Sequence, residues 1–193
     1  MDARVKVERL GEQHLPGLHA LFEACSSTCY CRYWHFTGTK NEWLDRCANR
    51  PEENARELDD AVRANDPSGW GLVALADDGR VVGWMKLTPA LPKVRALPVY
   101  RNLPLGDPAT TFGIGCFLVH PGERERGVAV ALLRAAPELA GAWGATSIEG
   151  YPRRSDAPLY PEEAWQGPER AFRAAGFALA HDETPYPVYV VPI

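Results

Sequence analysis

Residues 112 to 139 pass almost directly from a strand pattern into a helix pattern, and that junction constrains the chain more than any other feature. Phe112 to Val119 is a short, largely apolar run of strand character, and Val128, Leu132, Leu133, Ala136 and Leu139 then recur on one face of a helix. Between them stands His120-Pro121-Gly122-Glu123-Arg124-Glu125-Arg126-Gly127. A helix amino terminus presents unpaired backbone N–H groups and the positive end of the helix dipole. Small residues at Gly127 and Ala129 would let a phosphate approach the main chain, so the junction reads as an anion site. Pro137 should kink or end the helix, because it removes a backbone donor.

The flanking sequence supplies strands and helices in mixed order, which predicts an α/β (α+β) fold. Met1 to Leu10 alternates polar and apolar residues as a first strand. Leu15, Leu18, Leu21, Phe22 and Cys25 recur at helical spacing, with Pro16 tolerated in the first turn. A second helix is expected from Pro51 to about Asn65, with Glu52 and Glu53 in its first turn, and Tyr30 to Trp43 carries no assignment. Trp70 to Ala76 and Arg80 to Leu87, separated by Asp77-Asp78-Gly79, form a hairpin pattern. The proline-rich stretch Leu91 to Pro108 reads as a long surface loop bordering a site. Ala145 to Tyr151 is expected as a strand, Glu162 to Ala175 as a helix closed by Gly176, and Tyr186 to Val191 as a last strand.

A length of 193 residues suits one domain. Twenty-one basic against 25 acidic residues give a net charge of −4, with no basic stripe to neutralise phosphates, so nucleic acid is not the expected partner. No window approaches the roughly 18 apolar residues of a membrane span, and the amino terminus lacks a signal-peptide run. The expected chain is therefore soluble, with no membrane partner. Five cysteines, three of them at Cys25, Cys29 and Cys31, do not make the even framework of a secreted fold. A reducing cytoplasm, with these thiols free and metal-free, is the expectation.

The turn resembles the signature of the GNAT superfamily of acyl-CoA-dependent N-acetyltransferases, Gln or Arg, two residues, Gly, one residue, Gly or Ala. Arg124, Gly127 and Ala129 match it. The likeness continues through the strand ending Glu149-Gly150-Tyr151-Pro152 and the helix ending Ala174-Ala175-Gly176-Phe177, and covers about residues 68–191 in the expected order. It implies a central mixed, mostly antiparallel sheet with splayed strands, flanked by helices. Residues 68–191 would be the cofactor-binding core, and the helical amino-terminal segment, residues 1–66, would help to form the acceptor site. The implied cosubstrate is acetyl-CoA, with an amine acceptor and no metal. Its pantetheine arm would lie along Phe117, Leu118 and Val119, with Phe117 N–H facing the thioester carbonyl as an oxyanion donor. The backbone of Arg124, Glu125, Arg126, Gly127, Val128 and Ala129 would cradle the pyrophosphate.

An attacking amine must first lose a proton. Glu149, at the carboxyl end of its strand, is the candidate base, directly or through water; a surface or substrate-orienting carboxylate is the alternative. The position at which many relatives carry an acidic Tyr is Phe172 here, so Tyr160, Tyr151 or an unassisted thiolate must serve. His120 reads as a solvated turn residue. Trp34, His35, Phe36 and Trp43 could line an acceptor pocket or fill a core. Two rivals stay open: an acyl-CoA-binding domain that has lost its chemistry, and a zinc-stabilised module on Cys25, Cys29, Cys31 and Cys47. The acceptor and the oligomeric state are not legible, a homodimer included.

Overall fold

A computed structural model of the chain describes residues 4–89, 91–157, 159–160 and 163–193. Seven strands form one sheet: β1 (Lys6–Arg9), β2 (Gly71–Leu75), β3 (Val81–Pro89), β4 (Thr111–Val119), β5 (Ser147–Gly150), β6 (Ala178–His181) and β7 (Val188–Pro192). Their spatial order is β1-β2-β3-β4-β5-β7-β6. Every pairing is antiparallel except β4 with β5. The β2–β3 hairpin follows its pattern, with Gly79 at φ 82° in the turn, a conformation that favours glycine.

Helices α1 (Leu15–Ala24), α2 (Lys40–Asn49) and α3 (Pro51–Arg63) come from the amino-terminal segment, α4 (Pro92–Arg95) from the β3–β4 connection, and α5 (Val128–Gly141) and α6 (Glu169–Ala174) from the carboxy-terminal half. One face of the sheet buries Leu72, Met85, Ile114 and Phe117 under Leu132, Leu133 and Ala136 of α5 and Phe172 of α6. The other face carries Val73, Trp84 and Cys116 against Leu18, Leu21 and Phe22 of α1 and Leu58 of α3. A third cluster, Trp34, Leu91, Val94, Tyr100, Tyr151 and Val188, closes the fold beside β5 and β7.

Several expectations change. The unassigned stretch contains a short turn at Arg32–Trp34 and the start of α2, capped where Glu42 N–H donates to Thr39 Oγ1 and Thr39 N–H to Glu42 Oε2. Leu91 to Pro108 is no plain surface loop, since Leu91, Val94 and Tyr100 are buried. Helix α5 runs through Pro137 to Gly141, because Leu133, Ala136 and Ala140 on either side of it are packed into the core. Glu162 lies outside the described residues, and α6 begins only at Glu169: Gly167 stands at φ 89° and Pro168 takes the cap position, so the preceding turn cannot be helical.

Candidate functional site

The site begins where β4 parts from β5. Thr111, Phe112 and Gly113 pair with Ser147, Ile148 and Glu149, after which β5 ends at Gly150 while β4 runs on to Val119. On its other edge β4 stays paired with β3 as far as Val119 opposite Gly83. Between Leu87 opposite Ile114 and Met85 opposite Phe117, Gly115 and Cys116 face the single residue Lys86, which makes a β-bulge. A bulge bends its strand and re-aims side chains. Glycine suits position 115 because a Cβ there would lie 2.8 Å from the Trp34 ring. The carboxyl half of β4 thus has no strand partner on the β5 side among the described residues. Its Phe117 N–H donates to the carbonyl of Trp165 at 2.6 Å.

This edge leads into the turn before α5. His120 Nδ1 accepts from Gly122 N–H at 3.2 Å and closes a turn at Pro121–Glu123, the solvated role expected of this histidine. Glu125 at φ 61° and Gly127 at φ 88° then reverse the chain into α5, with Gly127 as its cap. The N–H groups of the first helical turn have no acceptor within the helix. Arg124 Nε donates to Val119 O at 3.3 Å and Arg126 pairs with Glu123 at 3.1 Å, so both side chains fold back on their own turn. The side chain of Leu118 packs against the α1 face.

Glu149 is 2% exposed. Its Oε2 accepts from Arg95 Nη2 at 3.0 Å and from the Tyr151 hydroxyl at 2.6 Å, and its Oε1 accepts from Gly106 N–H at 2.6 Å. Both oxygens are engaged inside the chain, which leaves no direct contact for an acceptor amine. Burial, then the neighbouring Glu149 charge, hold the Tyr151 phenol well above the usual tyrosine range. Tyr151 is fully buried and Tyr160 is exposed. Phe172 is fully buried too, its ring edge-on to Phe117 and Phe177, and the face of Gly150 lies directly against it.

Beyond β4 lie His35, already noted in the sequence, and two polar groups that the sequence does not single out. Lys86 is fully buried, its Nζ donating to Ser68 O, and burial followed by the Arg32 charge push its ammonium well below the usual lysine range. Arg32 is buried as well and donates to Glu57 and to Ser68 O. His35 is held down to about 3 by burial and then by Lys86 and Arg32, and its Nε2 finds no partner among the described residues. Only the break in strand alternation at Val82-Gly83-Trp84-Met85-Lys86-Leu87 marks Lys86 in the sequence.

The cysteine expectation is overturned in one respect. Cys31 and Cys116 form a disulfide, while Cys25, Cys29 and Cys47 are free. The fold carries Cys31 onto β4, and that removes it from any zinc set. Among the described residues, no group of three or more His, Cys, Asp or Glu is placed to hold a metal, and no helix is long and apolar enough to cross a membrane. Trp34 and Trp43 are buried, so they serve as core; Trp34 also meets the Trp165 ring, centroids 5.4 Å apart.

Residues 32–161 match the acetyltransferase (GNAT) family. No curated protein matches the sequence. Among solved structures, the chain is similar to the PaiA N-acetyltransferase from Thermoplasma acidophilum in complex with coenzyme A, with TM-score 0.56, 11% identity and 99% of this chain covered against 100% of that one. It is also similar to aminoglycoside acetyltransferase AAC(6')-Ib in complex with coenzyme A and kanamycin, with TM-score 0.51, 17% identity and coverages of 97% and 94%. The GNAT domain of S. lividans PAT gives TM-score 0.51 at 15% identity, with 98% and 90% covered. At these identities the likeness establishes the fold.

Proposed function

The chain belongs to the acetyltransferase (GNAT) family, and from that premise we propose that it acts as one domain that moves the acetyl group of acetyl-CoA to a primary amine of a small molecule or a protein. One observation carries the reading: β4 loses β5 as a partner after Gly113 and runs, with no strand on that side among the described residues, into the Gly127-capped start of α5. A free strand edge suits the amides of a pantetheine arm, and a helix amino terminus suits a pyrophosphate. The residues that would hold acetyl-CoA are therefore Phe117, Leu118 and Val119 through the strand main chain, and 124–129 through the turn. Bound there, acetyl-CoA supplies an activated acyl carbon. Phe117 N–H, once released from Trp165, would stabilise negative charge on the acyl oxygen. Glu149, with both oxygens bound inside the chain, would take the amine's proton only through an intervening water.

The structures in complex with coenzyme A and with kanamycin support a cosubstrate and an acceptor of these classes. Free thiol released from acetyl-CoA across a panel of small amines and lysine peptides tests the proposal. Release that depends on an amine supports it, and binding without release with any amine would favour the second reading, a non-catalytic acyl-CoA-binding domain. Phe172 at the acid position is the observation behind that alternative.

A further inference from the structure

Residues 163–168, just ahead of α6, lie across the edge that acetyl-CoA would need. Trp165 O accepts the Phe117 N–H at 2.6 Å, which is the bond expected for the thioester carbonyl. Trp165 places its ring against Trp34, 5.4 Å between centroids. Gly167 lies flat on the rings below: a Cβ there would stand 2.7 Å from Phe117 Cε2 and 3.1 Å from Phe172 Cε2, and its φ of 89° suits glycine. A turn from Gly167 N–H to Ala164 O at 2.8 Å shapes the segment, Pro168 bridges to Arg153 beyond the end of β5, and Arg153 pairs with Glu163 at 3.1 Å. Gln166, between them, is only 9% exposed.

We propose that Glu163–Pro168 is a self-occluding strap, which takes the place of the missing strand partner of β4 in the cofactor-free chain and must leave Phe117 before acetyl-CoA can bind. The inference rests on the acetyl-CoA reading above. A single N–H cannot serve two carbonyl acceptors at full strength, so strap and cosubstrate exclude each other at this position. A ligand that binds only the open form sees its apparent Kd raised by the reciprocal of the open fraction. The strap therefore sets the acetyl-CoA concentration at which the enzyme becomes active. Because Trp165 rests on Trp34, in the amino-terminal segment, a molecule that displaces the Trp165 ring from that side would ease cosubstrate entry.

The test compares wild type, Gly167→Ala and Trp165→Ala in two measurements: acetyl-CoA affinity by calorimetry, and hydrogen exchange of the Phe117 amide in the cofactor-free chain. Both substitutions unseat the strap, one by placing a methyl against the Phe117 ring and the other by removing the contact with Trp34. Acetyl-CoA should bind roughly tenfold more tightly, and the Phe117 amide should exchange faster by a similar factor. If Gly167→Ala does not fold, Trp165→Ala decides the matter. Affinities equal to or weaker than wild type in a folded variant overturn the strap alone. Absence of acetyl-CoA binding in all three proteins overturns the acetyl-CoA reading and the strap with it.

Discussion

Arg95 and Glu149 hold Gly106 by both of its backbone polar groups. Arg95 Nη1 donates to the carbonyl of Gly106 at 2.7 Å, Glu149 Oε1 accepts the N–H of the same residue at 2.6 Å, and Arg95 Nη2 closes the ring on Glu149 Oε2 at 3.0 Å. The β3–β4 connection is thereby fastened to the last residue of β5 that pairs with β4, where the splay begins. A carboxylate so engaged positions a loop, and under the proposed function it would meet the reaction only through water.

These two roles separate in turnover. Glu149→Gln should lower turnover roughly a hundredfold. It should also cost about 3 kcal/mol of stability, because Arg95 keeps its charge without a buried partner. Arg95→Gln loosens the same loop but spares the carboxylate, so its turnover should fall far less than that of Glu149→Gln. Equal losses of turnover in the two variants would take Glu149 out of the proton path and leave it as a clamp.

The disulfide ties the turn after α1 to the bulge of β4. Cys31 and Cys116 are 85 residues apart, and closing a loop of that length stabilises by about 4.6 kcal/mol in the chain-entropy account. Reduction should lower the melting temperature by about 10 °C. Cys31→Ser with Cys116→Ser should melt at the reduced value with or without dithiothreitol. Identical melting of oxidised and reduced wild type, with complete reduction verified by thiol counting, would show that the pair carries no stability.

What the sequence discloses and what it withholds divide along local and distant causes. The hairpin, α1, α3 and the turn into α5 rest on neighbours in sequence: Gly79 at a positive φ, Pro16 and Pro51 in first turns, Gly127 before Val128. Helix α2 carries its capping pair, Thr39 and Glu42, but its buried face holds little beyond Trp43, so periodicity is silent. Strand β6 is four residues long and mostly exposed, with no apolar alternation to mark it. The surroundings of the candidate site are distant by construction. Cys116 finds Cys31, Glu149 finds Arg95 and Gly106, and Phe117 finds Trp165 only after the sheet has formed. Near these, Gly115 alone leaves a local trace, a glycine inside a strand where a bulge and the Trp34 ring leave no room for a side chain.

His35 should make the fold sensitive to acid. Its pKa falls from 6.5 to about 3 in the folded chain, chiefly through burial. Between those values the unfolded chain binds a proton that the folded chain refuses, so stability is fully present above pH 6.5 and declines as pH falls towards 3. The slope from this one group is at most about 1.4 kcal/mol per pH unit. His35→Gln should flatten that portion of the profile. Urea midpoints at pH 7 and pH 4.5 for both proteins check it, and an equal loss in each would assign the acid sensitivity elsewhere.

Gly127 governs the turn into α5. It holds φ 88°, a conformation that costs a residue with a Cβ about 1–2 kcal/mol, and it lies among the N–H groups of 124–129 proposed to meet the pyrophosphate. Gly127→Glu adds both the strain and a negative charge beside that anion. Gly127→Asn tests the conformation alone, because asparagine visits the left-handed region most readily after glycine and carries no charge. Acetyl-CoA affinity by calorimetry should fall at least about tenfold in Gly127→Glu and only a few-fold in Gly127→Asn, with the gap narrowing at high salt as the repulsion is screened. A folded Gly127→Glu protein with wild-type affinity would place the pyrophosphate away from this turn, and the free edge of β4 would then have to bind acetyl-CoA without it.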